Sequence, residues 1–309
     1  GAGSWSAPEP LPFNYLFYPW TYVLPNGELF IAGPQKPART VNWTVTPVVD
    51  DPARQFNQIF SQRGVNMDGT SVLLPLRPPN YEPRILIAGG DGADTGQSAE
   101  WIDLSATPPA WEALPNMNVA RDKLNSVLLP DGQVVIVGGA GTGLPDGGPV
   151  ETFDPEDPAA GFRSGPTLQH VRDYHSAAIL LADGSVLVGG DPRVAGVNTP
   201  LERYLPPYFF AARPDITGAP AAIAFGASFT VNTPQAANIA EVVLMRPGAV
   251  THAFNMAQRY IGCAIVAAGV ASVEATAPPN GNVAPPGYYL LFVVDADGVP
   301  SMGKWIKLG

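Results

Sequence analysis

The chain lacks several residue types and patterns that define common protein classes. One cysteine, Cys263, occurs among its 309 residues, which excludes an internal disulfide framework. No apolar run approaches the ~18 residues of a membrane-spanning helix. Only 17 basic residues stand against 27 acidic ones, a net charge of −10, and this balance argues against a nucleic-acid partner. An acidic, lysine-poor composition instead suits a secreted or cell-surface protein.

What the chain does contain favours short elements joined by tight turns. It has 33 glycines and 35 prolines, and this content argues against long helices. Apolar residues make up 46% of the sequence, enough to bury a large core. We therefore expect an all-β protein.

A repeat of about fifty residues is the most informative pattern. Four markers recur at spacings of 51 or 52 residues: Arg121 and Arg172, Asp131 and Asp183, Gly138 and Gly189, Trp101 and Phe153. In each copy two apolar runs flank Asp-Gly, which predicts a hairpin with a two-residue type I′ turn. Further strands are expected around Trp101 and Trp111 and around Phe153 and Phe162. Four antiparallel strands per ~50 residues are typical of a kelch-type β-propeller blade.

The repeat bounds two regions of the chain. Weaker copies lie at 24–33 and 72–90, and the pattern stops near residue 210. Residues 1–212 are therefore predicted to form about four propeller blades, of an expected seven. Residues 213–309 contain alternating runs such as 228–231 and 288–294, which predict an immunoglobulin-like β-sandwich.

Histidine is rare, and its positions suggest a site. The three histidines are His170, His175 and His252. Tyr174 and His175 lie just ahead of a predicted innermost strand, close to the propeller axis. Neighbouring residues on a regular strand point in opposite directions, so both could bind one metal only from the loop that enters the strand. From spacing alone, a metal site shared by His175 and His252 and two ordinary hydrogen-bonded histidines both stay open.

These histidines stand in motifs that resemble a known family. The segments 172–176 (Arg-Asp-Tyr-His-Ser), 251–259 (Thr-His-Ala-Phe-Asn-Met-Ala-Gln-Arg) and 284–292 resemble those of galactose oxidase and glyoxal oxidase, the copper radical oxidases. Residues 11–15 and 69–76 are more similar to the glyoxal oxidase branch. The resemblance extends over nearly the whole chain.

The resemblance implies a mononuclear copper ion held by His175, His252 and an axial tyrosine, Tyr174. In the family this tyrosine is also catalytic, because it accepts the proton of the substrate hydroxyl. A second tyrosine, cross-linked to a cysteine, carries a radical. The family oxidises small primary alcohols or aldehydes and reduces O₂ to H₂O₂.

One departure from the family pattern matters for activity. In the family the cross-linked cysteine and tyrosine lie in blades well N-terminal to the Tyr-His pair, but here only 173 residues precede Tyr174 and none of them is a cysteine. The chain therefore resembles the C-terminal part of such an oxidase, and we expect it to lack the Cys-Tyr radical cofactor. The remaining N-terminal blades would come from a separate chain, or another copy would cover the open ends of the blades. Two alternatives stay open. One is a catalytically idle copper site, and the other is a non-catalytic module that binds carbohydrate or a cell-surface partner through Trp20, Tyr22 and Trp43.

Overall fold

A computed structural model describes residues 18–34, 37–43, 52–57, 59, 68–90, 96–141, 147–190 and 200–309. Within these ranges the chain forms 24 strands and four 3-10 helices of three or four residues. The helices are Pro52–Arg54, Pro158–Ala160, Pro207–Phe210 and Ala236–Asn238. In the same ranges no helix is long and apolar enough to cross a lipid bilayer.

The first fifteen strands form four antiparallel sheets that follow one another along the chain like propeller blades. Blade 1 contains β1 (Trp20–Val23), β2 (Leu29–Gly33), β3 (Ala38–Val41) and β4 (Gln55–Phe56). Blade 2 contains β5 (Gly69–Leu73), β6 (Arg84–Gly89), β7 (Ala99–Asp103) and β8 (Trp111–Leu114). Blade 3 contains β9 (Asn125–Leu128), β10 (Val134–Val137), β11 (Pro149–Phe153) and β12 (Phe162–Thr167). Blade 4 contains β13 (Ala177–Leu180), β14 (Val186–Gly189) and β15 (Glu202–Tyr204). The all-β prediction and the predicted third and fourth strands of the repeat are confirmed.

The predicted type I′ hairpin turns are wrong. A type I′ turn needs positive φ at both central residues, but in the turn at Asp131 only Gly132 has one, at 90°. The Gly132 amide donates to the Leu129 carbonyl at 3.0 Å, and the Leu129 amide donates to the Gln133 carbonyl at 2.9 Å. This is a three-residue loop, a type I turn followed by a glycine bulge. Pro130 fixes the φ that a type I turn requires.

Blades 3 and 4 each contain an arginine clamp, formed by a buried arginine that recurs with the repeat. Arg121 donates to the carbonyl oxygens of Gly138 and Pro149, both at 3.0 Å, and to Glu151 at 2.7 Å. Arg172, 51 residues on, donates to the carbonyls of Gly190 and Pro200 and to Glu202 in the same arrangement. Each arginine thus fixes the loop before an innermost strand to the next two strands of its own blade. These bonds explain why the arginine recurs at the same position of each of the two blades.

The remaining strands form a β-sandwich whose two sheets share a long strand. The order is β16-β24-β23-β18-β21-β22-β17. The bounds are β16 (Ala222–Ile223), β17 (Ser228–Asn232), β18 (Ile239–Arg246), β21 (Arg259–Ala268), β22 (Ser272–Thr276), β23 (Gly287–Asp295) and β24 (Lys304–Leu308). A separate hairpin consists of β19 (Val250–Thr251) and β20 (Phe254–Asn255).

The two domains pack through one face of the larger sandwich sheet. Leu290, Phe292 and Val294 of β23 are buried in one cluster with Leu74 and Leu128 of blades 2 and 3. The opposite face of the same strand, with Tyr289, Leu291 and Val293, fills the sandwich core. Because side chains alternate along a strand, β23 serves both interfaces at once.

The aromatic patch expected of a binding module does not form. Trp20 and Tyr22 are buried, in the same core cluster as Phe30. Of the three aromatic residues, Trp43 alone is exposed, and its indole Nε1 donates to the Gly27 carbonyl at 2.9 Å. Blade packing therefore explains Trp20 and Tyr22, because their strand β1 is the innermost strand of blade 1.

Candidate metal centre

The sandwich domain sends one hairpin to the propeller axis. This hairpin, β19–β20, contacts the innermost strands β5, β9 and β13 of blades 2, 3 and 4. Phe254 of β20 also packs edge-on against Tyr22 of blade 1, with ring centroids 5.7 Å apart. At its tip His252 and Ala253 both adopt the left-handed conformation, with φ of 51° and 59°. The hairpin therefore presents His252 where the innermost strands meet.

Two buried amide side chains hold this hairpin in place. Gln258 donates from Nε2 to the Ser126 carbonyl at 3.0 Å and accepts the Leu128 amide at 2.9 Å, so it bonds β9 as a neighbouring strand would. Asn255 Oδ1 accepts the amides of Ala249 and Gln258 at 2.9 and 3.2 Å. The hairpin is thus fixed both to its own domain and to blade 3.

Tyr174 and His175 lie in the loop that enters β13, as expected if both are to reach one point. In blade 3 the residue two positions before the innermost strand, Lys123, has a φ of 54°; in blade 4 the same position is His175, with a φ of 67°. In blade 3 Asp122 directly precedes Lys123, whereas in blade 4 Tyr174 lies between Asp173 and His175. The extra residue breaks strand alternation, so neighbouring side chains can converge.

The structure brings the three predicted residues together. The imidazole centroids of His175 and His252 are 5.6 Å apart, and the Tyr174 ring centroid lies 3.9 Å from that of His175 and 5.9 Å from that of His252. The hydroxyl of Thr251 is 2.6 Å from Nδ1 of His252, which leaves Nε2 of this ring as a metal donor. Tyr174 is 46% exposed, so its side chain is open to a small molecule.

Sequence reasoning missed Tyr18, which stacks on His252. The two ring centroids are 4.0 Å apart and the planes differ by 21°. Tyr18 lies two positions before β1, the place that Lys123 and His175 occupy in their own blades. This shared position was the available signal, but the weak repeat in blade 1 obscured it. Tyr18 forms an aromatic wall on one side of the site.

The third histidine and the cysteine lie apart from these rings. Nδ1 of His170 is 3.4 Å from the Glu202 carboxylate, beside the Arg172 clamp of blade 4. Cys263 is buried in the sandwich core, where burial raises the pKa of its thiol to about 12. Cys263 is therefore a neutral, inert thiol at physiological pH.

The donor set fits copper. Within the described residues no three His, Cys, Asp or Glu side chains form a metal-binding group, and the phenol of Tyr174 is a third protein donor beside the two imidazoles. Metal–nitrogen bonds of about 2 Å allow one ion to reach rings separated by these distances. Two imidazoles with oxygen donors are ligands typical of Cu(II). The residues present therefore fit the metal that the sequence motifs implied.

Comparison with known proteins is consistent over both domains. A family model described as "Glyoxal oxidase N-terminus" matches residues 12–200, and one described as "Galactose oxidase-like, Early set domain" matches residues 213–308. The first match alone covers more than half of the chain. The chain belongs to the glyoxal oxidase and galactose oxidase family.

Individual members of the family share about a third of their aligned residues with the chain. It is 31% identical to aldehyde oxidase GLOX1 of Arabidopsis thaliana, over 94% of this chain and 54% of that protein. It is also 31% identical to a galactose oxidase of Gibberella zeae, over 94% of this chain and 44% of that protein. A fungal alcohol oxidase of the AA5 family, solved in complex with copper, superposes with a TM-score of 0.78 and 28% identity over 94% of this chain and 63% of that one. The chain thus spans about half the length of these curated family members.

A glycine beneath the site loop provides a test of how tightly His175 is held. A Cβ added at Gly190, whose φ is +88°, would lie 2.7 Å from the His175 carbonyl oxygen and 3.1 Å from Cα of Ser176. We expect Gly190→Ala to displace the loop and weaken Cu(II) binding about tenfold, as a disturbed outer shell does. Isothermal titration against a competing chelator measures this.

The matched control is Gly298→Ala. Gly298 has a similar φ of +77°, but nothing lies within 4 Å of an added Cβ. Both variants carry the same backbone penalty, so only displacement of the loop distinguishes them. Equal copper affinity in the two variants would show that the loop does not depend on Gly190.

Proposed function

We propose that the chain is the copper-binding part of an oxidase that acts on small primary alcohols or aldehydes. The observation that carries this proposal is the convergence of Tyr174, His175 and His252 from two domains into one cluster of rings. The reaction that we propose is RCH₂OH + O₂ → RCHO + H₂O₂, in which two electrons and two protons leave the alcohol and reduce oxygen. Hydrated aldehydes would be oxidised to acids in the same way.

Each side chain of the site has a role in this proposal. Bound copper would supply one-electron redox chemistry. His175 and His252 would hold the ion, with Thr251 fixing the orientation of the His252 ring. The exposed hydroxyl of Tyr174 would accept the substrate hydroxyl proton, since it lies at the open side of the cluster. Tyr18 would restrict the approach of substrate along the face of His252.

We further propose that the radical-bearing groups come from another polypeptide segment that supplies the N-terminal blades, since a second copy of this chain would bring only another Cys263. The one cysteine in the chain is buried in the sandwich core with a raised pKa, away from the site rings. It is therefore unsuited to a cross-link with a tyrosine of the metal site.

An uncovered surface supports association with further blades. On β23, Leu290 is buried under the propeller, whereas Tyr288, two residues away on the same face, is 65% exposed. Trp305, the cross-strand partner of Leu290, is 59% exposed. Large apolar side chains that continue a buried interface into solvent indicate an interaction surface. Additional blades beside blade 4 would cover them.

The alternative of a non-catalytic carbohydrate-binding module has lost its main support. It depended on an exposed patch that includes Trp20 and Tyr22, and both are buried. No second function is therefore proposed.

The proposal is tested with copper-loaded chain, purified with and without the polypeptides that associate with it. Methylglyoxal, glycerol and benzyl alcohol are supplied as substrates, and H₂O₂ is detected with a coupled peroxidase. We expect H₂O₂ only when a copurifying segment carries a thioether-linked Cys-Tyr, seen as the loss of two hydrogens in its intact mass. Production of H₂O₂ by the chain alone would refute the need for a partner. Failure of the chain to retain copper after loading would refute the proposed oxidase function.

A further inference from the structure

Thr70 joins three elements at the metal site through one hydroxyl. It lies in β5, the innermost strand of blade 2, and it is almost fully buried. Its Oγ1 donates to the Ala253 carbonyl at 3.1 Å and lies 2.7 Å from Oγ of Ser126 in β9. Because Oγ1 donates its one proton to Ala253, Ser126 is the donor in the second bond. Blade 2, blade 3 and the sandwich hairpin therefore meet at this atom.

The turn that Thr70 contacts is intrinsically unfavourable. His252 and Ala253 are consecutive left-handed residues, and both carry a Cβ. Residues other than glycine rarely adopt this conformation, so contacts from outside the turn must stabilise it. Thr70 supplies such a contact, since it bonds the carbonyl of the second left-handed residue. If the turn relaxed, the imidazole of His252 would no longer face the imidazole of His175 and the phenol ring of Tyr174.

We propose that Thr70 is a positioning residue that holds His252 in its metal-binding orientation. This inference rests on the proposed copper site, although the hydrogen bond from Thr70 to the turn forms without metal. The apparent dissociation constant of a ligand rises as the fraction of protein in the competent conformation falls. Removing one buried hydrogen bond shifts such an equilibrium by about fivefold to tenfold. Copper affinity is expected to fall by about five to ten times, near the lower end of what loss of a contact outside the coordination shell costs.

The test uses Thr70→Val, which keeps the shape of the side chain but lacks the hydroxyl. Its control is Thr233→Val, because Thr233 is equally buried in the sandwich and its hydroxyl bonds only to Gln235 among the contacts seen there. Cu(II) affinity of the full chain is measured by competition with a chelator. We expect Thr70→Val to bind copper five to ten times more weakly than Thr233→Val, and Thr70→Ser to restore affinity to within about threefold of the native chain. Native affinity in Thr70→Val overturns the proposal.

A second readout needs no metal. Hydrogen exchange of the backbone amides at 250–255 is followed in the metal-free chain by mass spectrometry. We expect these amides to exchange about five times faster in Thr70→Val, while those of the sandwich core keep their native rates. Unchanged exchange at 250–255 overturns the proposal even if copper affinity falls. If exchange is faster in Thr70→Val but the native chain binds no copper, Thr70 does stabilise the turn and the proposed copper function is refuted.

Discussion

Replacing His252 by alanine is expected to lower Cu(II) affinity by at least about 100-fold and to leave the fold intact. His252 supplies one of the two imidazole donors, whereas loss of an outer-shell partner alone costs 10- to 100-fold. Its side chain is at the tip of a hairpin that Gln258 and Asn255 hold independently. Titration with a competing chelator measures the affinity, and circular dichroism checks the fold. His175→Ala is expected to behave in the same way.

His170→Ala is the matched control for these variants. It removes the remaining histidine, which lies beside Glu202 and outside the cluster of rings. We expect native copper affinity in this variant. If all three histidine variants lost affinity equally, the metal would be held elsewhere or through general changes in the protein, and the site would be wrong.

Replacing Arg121 by methionine is expected to destabilise the chain by about 3–5 kcal/mol, the usual effect of breaking a fully buried ion pair. Neither Arg121 nor Glu151 has any exposed side-chain surface, and burial lowers the pKa of Arg121 although Glu151 opposes the shift. The variant leaves the Glu151 carboxylate buried without its cation. Urea denaturation followed by tryptophan fluorescence measures the free energy of unfolding.

Two further variants separate the ion pair from general damage. Arg163→Met removes an exposed arginine 4.0 Å from Asp157, and we expect a change of about 0–1 kcal/mol. Combining Arg121→Met with Glu151→Leu removes both charges, so much of the lost stability should return. A double variant less stable than Arg121→Met would show that packing and backbone contacts, not the unpaired charge, account for the loss.

The repeat predicted the blades because the residues that recur in it have structural roles in each blade. Arg121 and Arg172 clamp their own blades, and the glycines of the Asp-Gly turns take positive φ, so their spacing repeats with the fold. Glu151 and Glu202 keep the same spacing and complete the clamps, although the sequence comparison did not use them. The type of turn was not predictable from Asp-Gly alone, because the preceding residue also matters. Pro130 favours type I there, and the strands adapt with a bulge.

The metal site was only partly predictable for a different reason. Tyr174, His175 and His252 stand in recognisable motifs, and their side chains do converge. Tyr18 stands in no motif, and the 69–76 motif that contains Thr70 does not indicate a role for its hydroxyl. The contacts of both residues with the 252–253 turn cross more than 180 residues of sequence. Such contacts follow from how the hairpin enters the propeller, which no local pattern records.

The most direct test of the account is the copper content of the purified full chain, combined with its electron paramagnetic resonance spectrum. After loading and removal of excess metal, we predict one Cu(II) per chain with superhyperfine coupling to two nitrogens, those of His175 and His252. Chain without copper, or copper with the same spectrum in a His252→Ala variant, would contradict the central claim that these two histidines form the metal centre.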